Sequence, residues 1–160
     1  MEPLGLIAGE GVFPFLVARG ARAAGRQVVC VALAGSALPE LAVECDRFHW
    51  VSVVRLGSWI RKLRRAGCSQ AIMVGRVTKT RMYDRWRYLR YIPDLRTARI
   101  WLTKLRNDHR PAAMLSAVAD ELAAEGIILI DSTRYTPDQL ATRPGFPRLV
   151  EAVRLQGAGW

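Results

Sequence analysis

Short apolar runs of strand length alternate with stretches that repeat apolar residues at helical spacing. Leu4 to Ala8 is a brief apolar run, and Phe13 to Ala24 carries apolar residues at helical intervals until Gly25 stops it. Val28 to Leu33 (VVCVAL) is apolar throughout, Ser36 to Leu41 predicts a helical turn, and Phe48 to Val54 predicts a third strand with His49 at its start. Ser58 is then placed to cap a helix whose inner face is Ile60 and Leu63, with Trp59 beside them and Gly67 at its end. Ala71 to Val74 predicts strand four, closed by Gly75. Leu95, Ala98, Leu102 and Leu105 mark a further helix. Asn107 and Asp108 can cap the next one, with Pro111 in its first turn and Met114, Leu115, Val118 and Leu122 on its buried face. Gly126 ends that helix, and Ile127 to Ile130 predicts strand five.

Strands this uniformly apolar, each followed by a helix, indicate a parallel sheet covered on both faces. Right-handed crossovers then make the fold an α/β, Rossmann-like doubly wound sheet of about five strands in a single domain. Residues 1–140 form that domain. Residues 141–160, rich in proline and glycine, read as a linker or divergent tail.

Composition narrows the setting. Half of the 160 residues are hydrophobic, which excludes a disordered chain, and no apolar run reaches the length of a membrane span. The amino terminus lacks the basic flank of a signal peptide. Cys30, Cys45 and Cys68 lack metal-ligand spacing and read as reduced thiols acting as small hydrophobes, so the expected location is cytoplasmic.

Charge changes the picture more. The net charge is +10, which points to an anionic partner. Between Arg76 and Arg110 stand eleven Lys and Arg against three Asp, interleaved with Trp86, Trp101 and three tyrosines. Arg81, Arg85, Trp86, Arg87 and Arg90 are therefore the expected contacts with lipid headgroups or the anionic inner-membrane surface. A nucleic-acid backbone would suit the same residues, but no RRM, KH or helix-turn-helix signature accompanies them, and nucleic acid is disfavoured as a partner.

Candidate chemistry gathers where strands end. Gly9, Glu10 and Gly11 follow strand one, and Pro14 opens the next helix. Glycines let the backbone approach an anion, and a helix start favours one. The dinucleotide fingerprint is only half met, because position 14 is proline and no acidic residue follows strand two; a nicotinamide cofactor is disfavoured. A plain tight turn explains the same glycines equally well. Gly75 and Arg76 after strand four and Asp131 after strand five belong to the same sheet edge. Asp108 and Asp131 are candidate magnesium ligands, with helix capping the simpler role for Asp108.

The stretches "LGLIAGEGVFPFLVARGARAAGRQVVCVAL", "LGSWIRKLRRAGCSQAIMVGRVTK" and "LRNDHRPAAMLSAVADELAAEGIILIDST" resemble, in that order, the amino-terminal segment of the LpxI family, the UDP-2,3-diacylglucosamine pyrophosphatases of lipid A synthesis. The resemblance spans most of residues 4–140. It implies a magnesium-dependent, two-domain hydrolase that splits the pyrophosphate into UMP and 2,3-diacylglucosamine 1-phosphate, called lipid X, with substrate held between the two domains. It also implies that a second domain supplies a catalytic carboxylate, and nothing after Thr142 resembles that domain. The expectation for this chain is therefore binding of a UDP-sugar lipid or lipid X phosphate, with hydrolysis belonging to the complete enzyme or to pairing with a separate catalytic domain. The alternatives are a non-catalytic nucleotide-binding or regulatory domain and a basic nucleic-acid-binding module.

Overall fold

A computed structural model describes residues 1–77, 93–103 and 111–135. Among them, five parallel strands form one sheet in the order β3-β2-β1-β4-β5, where β1 is Leu4–Ala8, β2 Val28–Leu33, β3 Arg47–Val51, β4 Gln70–Val74 and β5 Ile128–Leu129. Every residue of β1 and β2 is buried, as central strands covered on both faces require.

The helices α1 (Phe13–Ala23), α2 (Leu56–Arg65), α3 (Leu95–Thr103) and α4 (Pro111–Ala124) divide between the two faces. Leu4, Leu6, Ala8, Val28, Cys30, Ala32, Ile72 and Val74 share one core with Val17, Ala18 and Ala21 of α1. Ile7, Val29, Val31, Leu33 and Ala71 share the other with Leu56, Trp59, Ile60 and Leu63 of α2, Ile100 of α3, and Ala117 and Leu122 of α4. Alternate residues of each strand thus feed opposite cores. Each large aliphatic side chain buried there contributes about 1.5–3 kcal/mol of transfer free energy. The chain is an α/β doubly wound domain, as the hydrophobic pattern predicts.

Several elements differ in detail. Strand β3 ends at Val51 rather than Val54, which puts His49 in mid-strand and Trp50 next to its carboxyl end. The turn expected over Ser36 to Leu41 is a 3-10 helix at Pro39–Glu44. Ser58 is not the cap of α2. That helix starts two residues earlier, and its first N–H groups are met from another element: Thr97 Oγ1 accepts from the Leu56 N–H at 3.0 Å, and Asp94 Oδ2 accepts from the Gly57 N–H at 2.7 Å. The Leu95/Leu102 stripe is not the inner face of α3 either, for those residues are 92% and 71% exposed while Ile100 is buried. In α4, Leu122 and Ala117 are buried but Met114 is exposed.

Salt bridges bind the second layer of helices. Glu125, just after α4, meets Arg64 of α2 at 2.7 Å and Arg96 of α3 at 2.6 Å. These bonds to Arg96, and its positive charge, hold the Glu125 carboxyl below the usual carboxylate range.

Candidate functional site

In this strand order the chain reverses direction of winding between β1 and β4, the point where open α/β sheets leave a crevice at the carboxyl ends of their strands. The residues found there are those that follow the two strands. The Gly9 N–H donates to Val74 O at 2.8 Å, continuing the parallel ladder by one bond. Beyond it the two chains cross. The Glu10 N–H donates to Arg76 O at 2.7 Å and the Arg76 N–H to Glu10 O at 3.0 Å, an isolated antiparallel bridge. A side chain on Gly9 would put its Cβ 2.6 Å from the Arg76 carbonyl oxygen, so only glycine permits the crossing.

Gly11 leaves the crossing with φ +115°, a conformation that few other residues adopt, and delivers the chain into α1. Val12 at the N-cap provides no side-chain cap, the first turn holds no acidic residue, and Pro14 is buried in that turn. Among the described residues the Gly11 and Val12 N–H groups meet no backbone acceptor, and a helix start carries partial positive charge. The exposed side chain of Arg76 belongs to the same edge.

The structure therefore brings Gly9, Glu10, Gly11, Gly75 and Arg76 to one place, with a division of labour that the sequence does not show. The N–H groups of Gly9 and Glu10 are committed to the crossing. Those of Gly11 and Val12 meet no backbone acceptor among the described residues.

Asp131 is placed elsewhere. Strand β5 pairs only with Gln70 and Ala71, at the start of β4, and the chain then turns into a 3-10 helix at Ser132–Tyr135 that packs against α1. The Asp131 carboxylate accepts from the Thr133 N–H at 2.9 Å, as the cap of that turn. His49, in mid-strand, has its pKa lowered by burial first and then by the charges of Lys62 and Arg47. Trp50, half-exposed on the edge strand, stands edge-on to Phe48 with ring centroids 5.1 Å apart. Arg81, Arg85, Trp86, Arg87, Arg90 and Asp108 lie outside the described residues, as does the tail.

One concavity among the described residues lies away from the crossing. It is an open groove of about 1000 Å³ along α2 and the start of α3, lined by Arg55, Arg61, Arg64, Arg65, Asp94 and Arg96 among others. Arg64 and Arg96 are held by Glu125, and Asp94 caps helices, so the groove is in large part the seam of a helix pair. The switch point lies at the sheet edge where open α/β sheets take their ligands, beside the start of α1. Asp94 escaped the sequence reading, in which it is one of three aspartates in a basic run.

The LpxI N-terminal domain matches residues 3–139. The chain belongs to the LpxI N-terminal domain family. No curated protein matches it.

The magnesium expected of this family can be set against the residues present. Among the described residues, no group of three or more His, Cys, Asp or Glu side chains is placed to hold a metal ion, and Asp131 already spends one oxygen on Thr133. No helix of the described residues is long and apolar enough to cross a membrane.

Proposed function

We propose that this chain is the phosphate-binding half of a UDP-2,3-diacylglucosamine diphosphatase of lipid A biosynthesis, and that it binds the UDP-sugar lipid or its phosphorylated product, lipid X. The observation that carries this reading is the Gly9–Gly75 crossing, which presents the uncapped start of α1 at the switch point of the sheet, within a chain that belongs to the LpxI N-terminal domain family.

The chemistry follows from the groups present. A phosphate at the start of α1 accepts hydrogen bonds from the Gly11 and Val12 N–H groups and lies along the helix dipole, while the Arg76 guanidinium adds a full positive charge. These donors are preorganised, because the crossing fixes the loop before any ligand arrives. They stabilise negative charge on a diphosphate oxygen wherever it develops as water displaces UMP. In the complete enzyme, groups beyond those described here activate that water. The basic, aromatic residues Arg81, Arg85, Trp86, Arg87 and Arg90 belong in this proposal to the acylated, membrane-borne end of the substrate.

Titration calorimetry with lipid X and with UMP, each with and without magnesium, tests the binding. UMP release from UDP-2,3-diacylglucosamine measures how much chemistry the chain performs unaided. Saturable binding of either phosphate compound, lost in Arg76→Glu, supports the proposal. A folded chain that binds neither, yet shifts a labelled polynucleotide with a steep salt dependence, would replace it with the nucleic-acid reading.

A further inference from the structure

Two neighbouring helices bring unlike side chains to one groove. On α2, Ser58, Arg61 and Arg65 fall at i, i+3 and i+7 of one stripe, and all three line the open groove between α2 and α3. On α3, Leu95 and Ala98 line that groove from the other side, and Leu102 continues their stripe at i+7, opposite the buried Ile100. Leu95 is 92% exposed, Leu102 71%, and Trp101, flanking the stripe, 58%. Exposed apolar residues scattered singly are ordinary, but two leucines and a tryptophan gathered on one short helix form a patch.

The charges beside this patch do not cancel. Glu125 is bonded to Arg64 and Arg96, Glu121 lies beside Arg96 and Arg99, and the Asp94 carboxylate caps the starts of both helices. Among the described residues no carboxylate pairs with Arg61 or Arg65, both exposed. The helix dipole accounts for basic residues in the last turn of α2. It gives no reason for leucines of the adjoining helix to face water.

We propose that the outer face of α2 and α3 docks on an anionic lipid bilayer, with Arg61 and Arg65 at the lipid phosphates and Leu95, Leu102 and Trp101 in the boundary between headgroups and acyl chains. Charge complementarity selects this partner. A bilayer offers negative phosphates to the guanidinium groups and, just beneath them, an apolar layer to the leucines, with tryptophan at headgroup depth. A polynucleotide would meet the arginines and leave the leucines wet. An apolar protein surface would cover the leucines and strip water from the arginines without pairing them. The chain's net charge of +10 adds attraction within a Debye length of such a membrane. No residue of the Gly9–Gly75 crossing takes part, so this docking stands apart from the phosphate-binding reading. It is also separate from the basic run at residues 81–90, which lies outside the described residues.

Co-sedimentation of the full chain with vesicles of phosphatidylglycerol and phosphatidylcholine in equal parts, against pure phosphatidylcholine, tests the proposal. The chain should bind the anionic vesicles at least about tenfold more tightly than the neutral ones and come off as salt rises. Arg61→Glu with Arg65→Glu should weaken that binding at least about tenfold and flatten its salt dependence. Leu95→Ser with Leu102→Ser should weaken it about tenfold while the salt dependence stays the same, which surface charge alone would not produce. Brominated acyl chains should quench the tryptophan fluorescence of the bound chain, and quench it less in Trp101→Phe. Equal binding to the two vesicle types, anionic binding that both double variants retain, or loss confined to the arginine pair would each overturn the proposal. Self-association of the lipid-free chain that the leucine pair abolishes would overturn it in favour of a second copy. The wild-type comparison of vesicles holds whether or not a variant folds. Calorimetry with dissolved lipid X reports the phosphate site separately, so failure of the docking and failure of that site give different results.

Discussion

A Cβ built on Gly75 would stand 2.7 Å from the carbonyl carbon of Gly9, and the φ of Gly75 is +96°. The two glycines meet backbone to backbone where β1 and β4, parallel neighbours in the sheet, release their chains toward the ligand-binding edge. Everything that forms the candidate site is suspended from this contact: the bridge between Glu10 and Arg76 on one side, and Gly11 leading into α1 on the other.

Gly9→Ala should therefore destabilise the fold by about 1–3 kcal/mol, the usual cost of forcing atoms into a filled place, because the atoms it meets are backbone and cannot swing aside. Gly75→Ala adds the strain of a positive φ to the same clash. Gly11→Ala meets nothing within 4 Å and carries only the conformational strain. Urea unfolding of the three variants checks this order. A Gly9→Ala protein as stable as wild type would show that the crossing is looser than described.

Arg76 contributes to the bridge through its backbone, so Arg76→Ala should leave stability within about 0.5 kcal/mol of wild type. If its guanidinium binds phosphate, the same change weakens the affinity for lipid X by about tenfold or more, the worth of one charge-assisted hydrogen bond. Arg76→Lys should recover part of that loss. Calorimetry beside thermal unfolding separates the two effects, and a variant that loses stability and affinity in parallel would contradict this assignment.

Asp94 caps two helices at once, accepting from the Gly57 N–H at the start of α2 and, at 2.8 Å, from the Thr97 N–H at the start of α3. Asp94→Ala removes both bonds and should cost about 2 kcal/mol, roughly one for each cap. Asp94→Asn keeps an acceptor oxygen and should lose markedly less. Equilibrium unfolding in urea reads the difference directly; equal losses from the two substitutions would mean that the charge, not the capping geometry, matters.

Burial and the neighbouring Lys62 and Arg47 lower the pKa of His49 in the folded chain. As pH falls, the unfolded chain takes up this proton first, near the ordinary value of about 6.5. Stability is accordingly present in full above that value and is lost as pH falls through the lowered pKa of the folded state. His49→Gln should flatten the stability profile in that window. An NMR titration of the imidazole that gives a value at or above the ordinary one would remove the basis for this expectation.

Much of this protein was legible in one dimension. The runs Leu4–Ala8 and Val28–Leu33 are apolar at every position because central parallel strands face two cores, and α1 keeps its apolar spacing because one side of it is dry. Periodicity of this kind is a local record of burial. The glycines at positions 9, 11 and 75 were equally visible as residues that a turn requires.

What they do in company was not. The N–H groups of Gly9 and Glu10 are engaged by a strand about sixty residues away in sequence, which moves the open donors to Gly11 and Val12. The start of α2 is capped by Asp94 and Thr97, some forty residues on, so Ser58 was a sound local inference that a distant contact displaced. On α3 the spacing of Leu95 and Leu102 promised an inner face that Ile100 occupies instead. Hydrophobic spacing and turn residues record what a position needs from its immediate chain, and they determined the α/β class and most of the strands. Which N–H groups the crossing consumes and which carboxylate serves as a cap depend on segments brought together only by folding, and that was decided by the tertiary structure alone.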